Sequence, residues 1–371
     1  MSKKLYAIFA AVLMASMLLA ACGQAAPAPT EAPATEAPAT EAPATEAPTE
    51  APKPMKICQI TDTGGIDDKS FNATAWKGVT DAQAEFGIEG KYLESTQAAD
   101  YEKNINAFVE EGCDLIVTVG FLLGDATKAG AEANPDVKFT IVDYAYDPTL
   151  PNVIGQVFNT DEAAFLAGYL AAGMTKTGKV GTFGGLQIPP VTVFMDGYFY
   201  GVKYYNEKKG TNVEVLGWDP VAATGLFTQS FDDQNLGKQF AIQLMDNGAD
   251  VVMPVAGPVG IGSAAAIKER TTAEAPIFFI GVDSDWFETQ PDYGDIILTS
   301  VLKKMDATTK AVIKKVIDGA FEGGLEVGSL SNGGVDLAPY HNFDSVVPAE
   351  LKAEIEQLKA DIISGAVKVK P

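Results

Sequence analysis

Histidine is almost missing from these 371 residues: His341, near the C-terminus, is the one imidazole. That argues against His-rich metal sites and against a Ser-His-Asp or Cys-His centre. Positive charge is scarce too, with 27 Lys and Arg against 49 Asp and Glu, a formal net charge of -22 and a pI of about 4.4. So acidic a surface repels nucleic acid and anionic lipid, and no nucleic-acid partner is expected. Cysteine is limited to three residues. Cys58 and Cys113 lie in the apolar runs KICQI and GCDLIVTVG, where thiols usually pack as plain core residues, so they are read as unpaired. Neither has a base to activate it. The acids Asp62, Asp67 and Asp68 cluster, but no D-x-[DN]-x-[DN]-G spacing and no histidine accompany them, so no metal is expected. The glycines at 257, 260 and 262 fit neither G-x-G-x-x-G nor the Walker pattern and read as the start of a helix. These absences leave no cofactor and no enzyme to expect.

What is present begins with a leader. Met1 to Lys4 is positively charged, Leu5 to Leu18 is almost uninterrupted apolar sequence, and small residues follow. The run is too short and too cleanly ended for a stable bilayer span, and reads as a secretory signal over residues 1–21. Its ending, Leu19-Ala20-Ala21-Cys22, resembles a bacterial lipobox, which makes Cys22 the lipidated first residue of the mature chain. Acyl chains there would hold an acidic domain outside the cytoplasm, on the bacterial cell membrane. Residues 22–54 continue as a Thr-Glu-Ala-Pro repeat with nothing large enough to build a core. Its prolines and like charges predict an extended spacer, reaching ~90 Å at about 3.1 Å per residue.

From Met55 the pattern changes. Short apolar runs (KICQI, DLIVTVG, FTIVD, KVGTFGG, DVVMPVA, IFFIGVD, ILTSVLK) alternate with amphipathic, helix-like stretches. Unalternating apolar strands between helices predict parallel sheets covered on both faces. Two sets of about five or six strands are too many for one comfortable sheet, so two doubly wound α/β lobes are expected. The boundaries are set at 55–158 with 285–320 for one lobe, and 159–284 with 321–371 for the other. Ligands of such sheets lie beyond the strands' carboxyl ends. There the sequence places Asp62, Gly120-Phe121, Asp143, Gly184-Gly185, Gly257, Asp283 and Lys303. Each alone reads equally as a turn residue or helix cap. Their shared position on one rim points to a ligand site.

The segments GGIDDKSFNATAWKG, LIVTVGF, KVGTFGGLQIPPVTVFMDGYFYGVKYYN, FDDQNLGKQ, GADVVMPVAG, FFIGVDSD and ILTSVLKKMD, in this order from Lys56 to the C-terminus, resemble the basic-membrane-protein family. These are substrate-binding lipoproteins of ABC transporters, related to purine-nucleoside receptors. The resemblance implies a type I periplasmic-binding fold, with two lobes and a hinge, that closes on its ligand like a clamshell. It also implies a nucleoside base held between Phe71 and Phe231, with Asp62, Asn72 and Asp143 reading the base edge. Asp283 would take the ribose hydroxyls and Lys303 the sugar's 5′ side. The implied partners are the nucleoside, a permease and its ATPase. One departure is the stretch 218–228, which puts part of a pocket wall in question.

The residue types suit the task without the family. Aromatic faces gain roughly 1–3 kcal/mol per stacked base, and a carboxylate can accept from both hydroxyls of a diol with charge-assisted strength. Sugars are gripped by the same groups, so a sugar-binding protein of this fold remains the alternative. Plainer roles stay open as well. Phe71 continues the helical stripe Ala75, Val79, Ala82, Phe86. Asn72, Asp67 and Asp68 could cap that helix, Phe227 could stand in for Phe231, and Lys303 could offset nearby acids. Trp76 and Trp286 could line the pocket or lie beneath it.

Overall fold

The computed structural model describes residues 53–370. The signal, Cys22 and all of the repeat up to residue 52 lie outside the described residues. Along the rest, strands β1 (Lys56–Thr61), β2 (Glu89–Leu93), β3 (Leu115–Val119), β4 (Lys138–Val142) and β5 (Val153–Phe158) come first. Next are β6 (Lys179–Gly184), β7 (Glu214–Leu216), and the short pair β8 (Trp218–Asp219) and β9 (Thr224–Gly225). Then follow β10 (Val251–Val255), β11 (Phe278–Asp283), β12 (Ile297–Lys303), β13 (Gly324–Gly328) and β14 (Val335–Leu337).

Two six-stranded sheets result, ordered β13-β5-β4-β3-β1-β2 and β14-β12-β11-β10-β6-β7. All pairings within them are parallel except β12 with β14. The central strands LIVTV and VVMPV are buried at every position, as sheets covered on both faces require. One core cluster spans both lobes, beneath helices Phe71–Phe86 and Met305–Ile317 on the first sheet and helices Thr160–Met174 and Pro189–Lys209 on the second. Two further clusters lie on the outer faces: one with Tyr101, Ile105 and Leu123 in the first lobe, the other with Val259, Ile267 and Trp286 in the second. This is the type I periplasmic-binding architecture.

The chain passes between the sheets after β5, after β12 and after β13. That corrects the expected lobe boundaries. Residues 285–320 were assigned to the first lobe, yet β12 pairs with β11 in the second sheet. Conversely β13, expected in the second lobe, joins β5 in the first. Within 285–320, helix Met305–Ile317 does pack on helix Phe71–Phe86 of the first lobe. The physical reason is that an apolar strand such as ILTSVLK satisfies either sheet, and sequence alone does not choose its neighbour.

Cys58 and Cys113 also differ from expectation. They form a disulfide, with Cα atoms 6.1 Å apart. Strands β1 and β3 are parallel neighbours with Cys58 opposite Ile116, and Cys113, two residues before β3, lies close enough at the strand's entry to bond Cys58. Both residues are buried, so the apolar flanks were read correctly while the pairing between distant segments was not legible.

Candidate ligand-binding cleft

Between the two lobes the strand ends face one cleft. Asp62, Phe71, Asn72, Asp143, Phe231, Asp283 and Lys303 all line it. It encloses about 600 Å³ of atom-free space that opens partly to solvent.

The first lobe supplies one wall through the turn that leaves β1. Asp68 accepts backbone N–H bonds from Ser70, Asn72 and Ala73 at 2.8–3.0 Å, which pins the first turn of helix Phe71–Phe86. Asp68 therefore caps, as one of the open readings held. Asp67 instead pairs with Lys69 on the surface. Pinning this turn fixes Phe71 and Asn72 at the cleft. Asn72 Nδ2 donates to Asp62 Oδ1 at 3.0 Å and to Asp68 Oδ2 at 3.2 Å, while its own Oδ1 is buried with no partner. Gly120, past the end of β3, must be glycine: a Cβ there would sit 2.4 Å from Asp62 Oδ2, and its φ is +119°.

Asp143 and Asp283 occupy matching places, beyond β4 in the first sheet and at the end of β11 in the second. Both adopt left-handed backbone, φ 70° and 69°. Such conformations in non-glycine residues cost of order 1–3 kcal/mol and gather at functional sites; Asp tolerates them better than most. Lys303, at the end of β12, reaches across from the second lobe to Asp143, with Nζ 2.5 Å from Oδ2. Its ammonium lies 4.9, 5.2 and 5.9 Å from the ring centroids of Phe71, Phe158 and Phe194, close enough for cation–π attraction. A second link between lobes runs from Ser70 Oγ to Asp283 Oδ2 at 3.3 Å. Phe231 comes from the second lobe, where its ring lies so close to Gly185 that a Cβ there would meet it at 2.3 Å.

Sequence reasoning missed part of the apolar wall. Ile188, Pro190, Val191 and Phe194 line the cleft from the start of helix Pro189–Lys209. The spacing of 190, 191 and 194 marks one helix face, and that period was the available signal. The plainer readings resolve as follows. Trp286 is buried beneath the site with Nε1 bonded to the Val282 carbonyl, Trp76 packs edge-on against Tyr92, and Phe227 packs on Trp218. None of these three lines the cleft. The divergent stretch 218–228 forms the β8–β9 hairpin and its return, and none of its residues lines the cleft either.

Burial dominates the electrostatics. It pushes the Asp62 carboxyl up to about 8 and Asp283 up to about 6, with neighbouring carboxylates adding to the rise. The Asn72 bond opposes the shift at Asp62, and Lys303 opposes it at Asp283. Asp143 is raised by burial against the pull of Lys303. The folded state thus holds protons that an unfolded chain, with carboxyls near 3.8, releases. These groups stabilise the ligand-free fold below their unfolded pKa and lose that contribution as pH rises through about 8 for Asp62 and about 6 for Asp283. Denaturation midpoints of the ligand-free protein should therefore fall across this window, and fall less in Asp62→Asn. An equal slope in wild type and variant would contradict the assignment.

Comparison with known proteins follows the same lines. A family profile described as "ABC transporter substrate-binding protein PnrA-like" matches residues 56–370. The ABC transporter nucleoside-binding protein BmpA of Lactococcus lactis is 33% identical over 329 residues, covering 85% of this chain and 89% of the relative. Basic membrane protein A of Borreliella burgdorferi is 32% identical, covering 85% and 87%. Among solved structures, an ABC transporter solute-binding protein from Aeropyrum pernix aligns with a TM-score of 0.77 at 31% identity, covering 85% of this chain and 93% of that one.

Proposed function

Because the chain belongs to the PnrA-like family of ABC-transporter substrate-binding proteins, a family of transport proteins and not of enzymes, we propose that it captures a purine nucleoside by closure of its two lobes. It then delivers the nucleoside to a permease driven by an ATPase, while lipid on Cys22 and the repeat behind it keep the body near the membrane. The observation that carries this reading is the make-up of the cleft. Two phenylalanines come from opposite lobes and line it with Asp62 and Asp283, each accepting from one side-chain donor, and with Asn72, whose buried Oδ1 has no partner. A stacked base with edge N–H donors and a vicinal diol meets those needs together. Asp62, Asn72 and Asp143 serve the base end, Asp283 the diol, and Lys303 orders Asp143 and the sugar's 5′ side.

A sugar would leave the base-edge acceptors unpaired, at a cost of about 1–3 kcal/mol each. Thermal shift separates the two readings. Saturating purine nucleoside should raise the melting temperature by about 5 °C or more, since ligand at 100 Kd adds about 2.7 kcal/mol. Ribose, free bases and hexoses should do little. A rise with hexoses alone would move the protein to sugar transport.

A further inference from the structure

The base-reading wall of the cleft is built almost wholly of acceptors. Asn72 Nδ2 is committed to two carboxylates, Asp62 Oδ1 and Asp68 Oδ2. The amide's orientation follows from Asp68, which accepts backbone N–H bonds from Ser70, Asn72 and Ala73, so the flipped form would set oxygen against an acceptor. Asn72 Oδ1 is consequently left as a buried acceptor without a partner. Asp62 receives one side-chain donor, from Asn72, and its Oδ2 rests against Gly120, whose N–H is already donated to the Val142 carbonyl. The titratable groups facing Asp62 are Asp68 from the turn before helix Phe71–Phe86, Tyr101 from helix Ala99–Glu111, and Asp143 from beyond β4. Lys303, the one cation lining the cleft among the described residues, is already bound to Asp143.

Purine edges differ in what they offer such a wall. Guanine presents two adjacent donors, N1–H and N2–H. Adenine presents a donor, N6–H, beside an acceptor, N1. An ionised carboxylate pairs with the first edge through two accepted bonds. A protonated carboxyl pairs with the second, its O–H donating to N1 while its other oxygen accepts from N6–H. Resting on the nucleoside reading above, we propose that Asp62, oriented by Asn72, is a protonation-controlled selector of the base edge. In its acid form it admits adenine-type bases, and in its carboxylate form guanine-type bases.

Geometry makes both states accessible. Burial, and after it the charges of Asp68 and Asp143, hold the proton on Asp62, whose carboxyl is pushed up to about 8 in the ligand-free cleft. Guanosine binding there transfers that proton to solvent as the carboxylate gains two donors. Adenosine binding keeps it. Buried polar groups left without partners are what give such a wall its discrimination.

Titration calorimetry with guanosine and adenosine at about pH 6 and about pH 8.5 tests the proposal. The ratio of guanosine to adenosine affinity should rise at least about tenfold between the two, following the ionised fraction of Asp62. Asp62→Asn offers a donor beside an acceptor at every pH, as the protonated acid does. Whatever its absolute affinities, its ratio of guanosine to adenosine affinity should be low at both pH values and should not change with pH. A flat ratio in the wild type, or a persisting pH dependence in Asp62→Asn, would overturn the selector while leaving nucleoside binding intact. If neither nucleoside binds at either pH, the nucleoside reading itself falls, and the selector with it.

Discussion

Replacing Phe71 with alanine should weaken purine-nucleoside binding by more than tenfold, and Asp283→Asn should do the same for ribonucleosides in particular. Phe71 supplies a stacking face, worth roughly 1–3 kcal/mol per base. Its truncation also strips one ring from around the Lys303 ammonium, at 4.9 Å. Asp283 contributes otherwise. Its carboxylate has only the Ser70 hydroxyl as a side-chain donor, which leaves capacity for both hydroxyls of a ribose. Asparagine is the better probe than alanine there, because the backbone at φ 69° tolerates Asn and penalises Ala. The distinguishing measurement is a cycle with 2′-deoxynucleoside. The penalty of Asp283→Asn should shrink when the 2′-hydroxyl is absent, whereas that of Phe71→Ala should not. If both variants keep wild-type affinity while folded, the site assignment fails.

Lys303→Met should destabilise the protein by about 3–5 kcal/mol near neutral pH, the usual result of leaving a buried charge unpaired. Lys303 and Asp143 side chains are 2% and 8% exposed, so water cannot compensate. The loss depends on pH in a defined direction. Burial already raises Asp143, and without the ammonium it rises further. At acid pH Asp143 takes a proton and the variant recovers. As pH rises the carboxylate must either ionise unpaired or hold its proton at growing cost. Chemical denaturation at about pH 5 and about pH 8 reads this as a gap that widens with pH. Lys303→Met combined with Asp143→Asn should recover most of the loss, since both charges are then gone. Equal instability in the single and double variants would mean that the pair is not what holds this region.

Most of the frame was legible because its signals are local. The apolar runs LIVTV and VVMPV announce buried parallel strands, and the residue after each strand falls on the rim by geometry alone. Asp143 and Asp283 were found that way. The identity of their partners was not legible, since the Lys303–Asp143 contact spans 160 residues and two lobes. The same distance problem hid the Cys58–Cys113 bond and sent β12 to the wrong sheet. Phe194 escaped because its helix is apolar on more than one face: it packs into the shared core as well as lining the cleft. The orphaned Asn72 oxygen could not be seen in sequence at all. It arises only when two carboxylates claim the amide's hydrogens.

A crystal structure of the protein grown with a purine nucleoside tests the central claim most directly. The base should lie between the Phe71 and Phe231 rings, its edge on Asp62 and Asn72, and the ribose diol on Asp283. A nucleoside bound elsewhere, or one in the cleft whose base touches neither ring, would contradict the account.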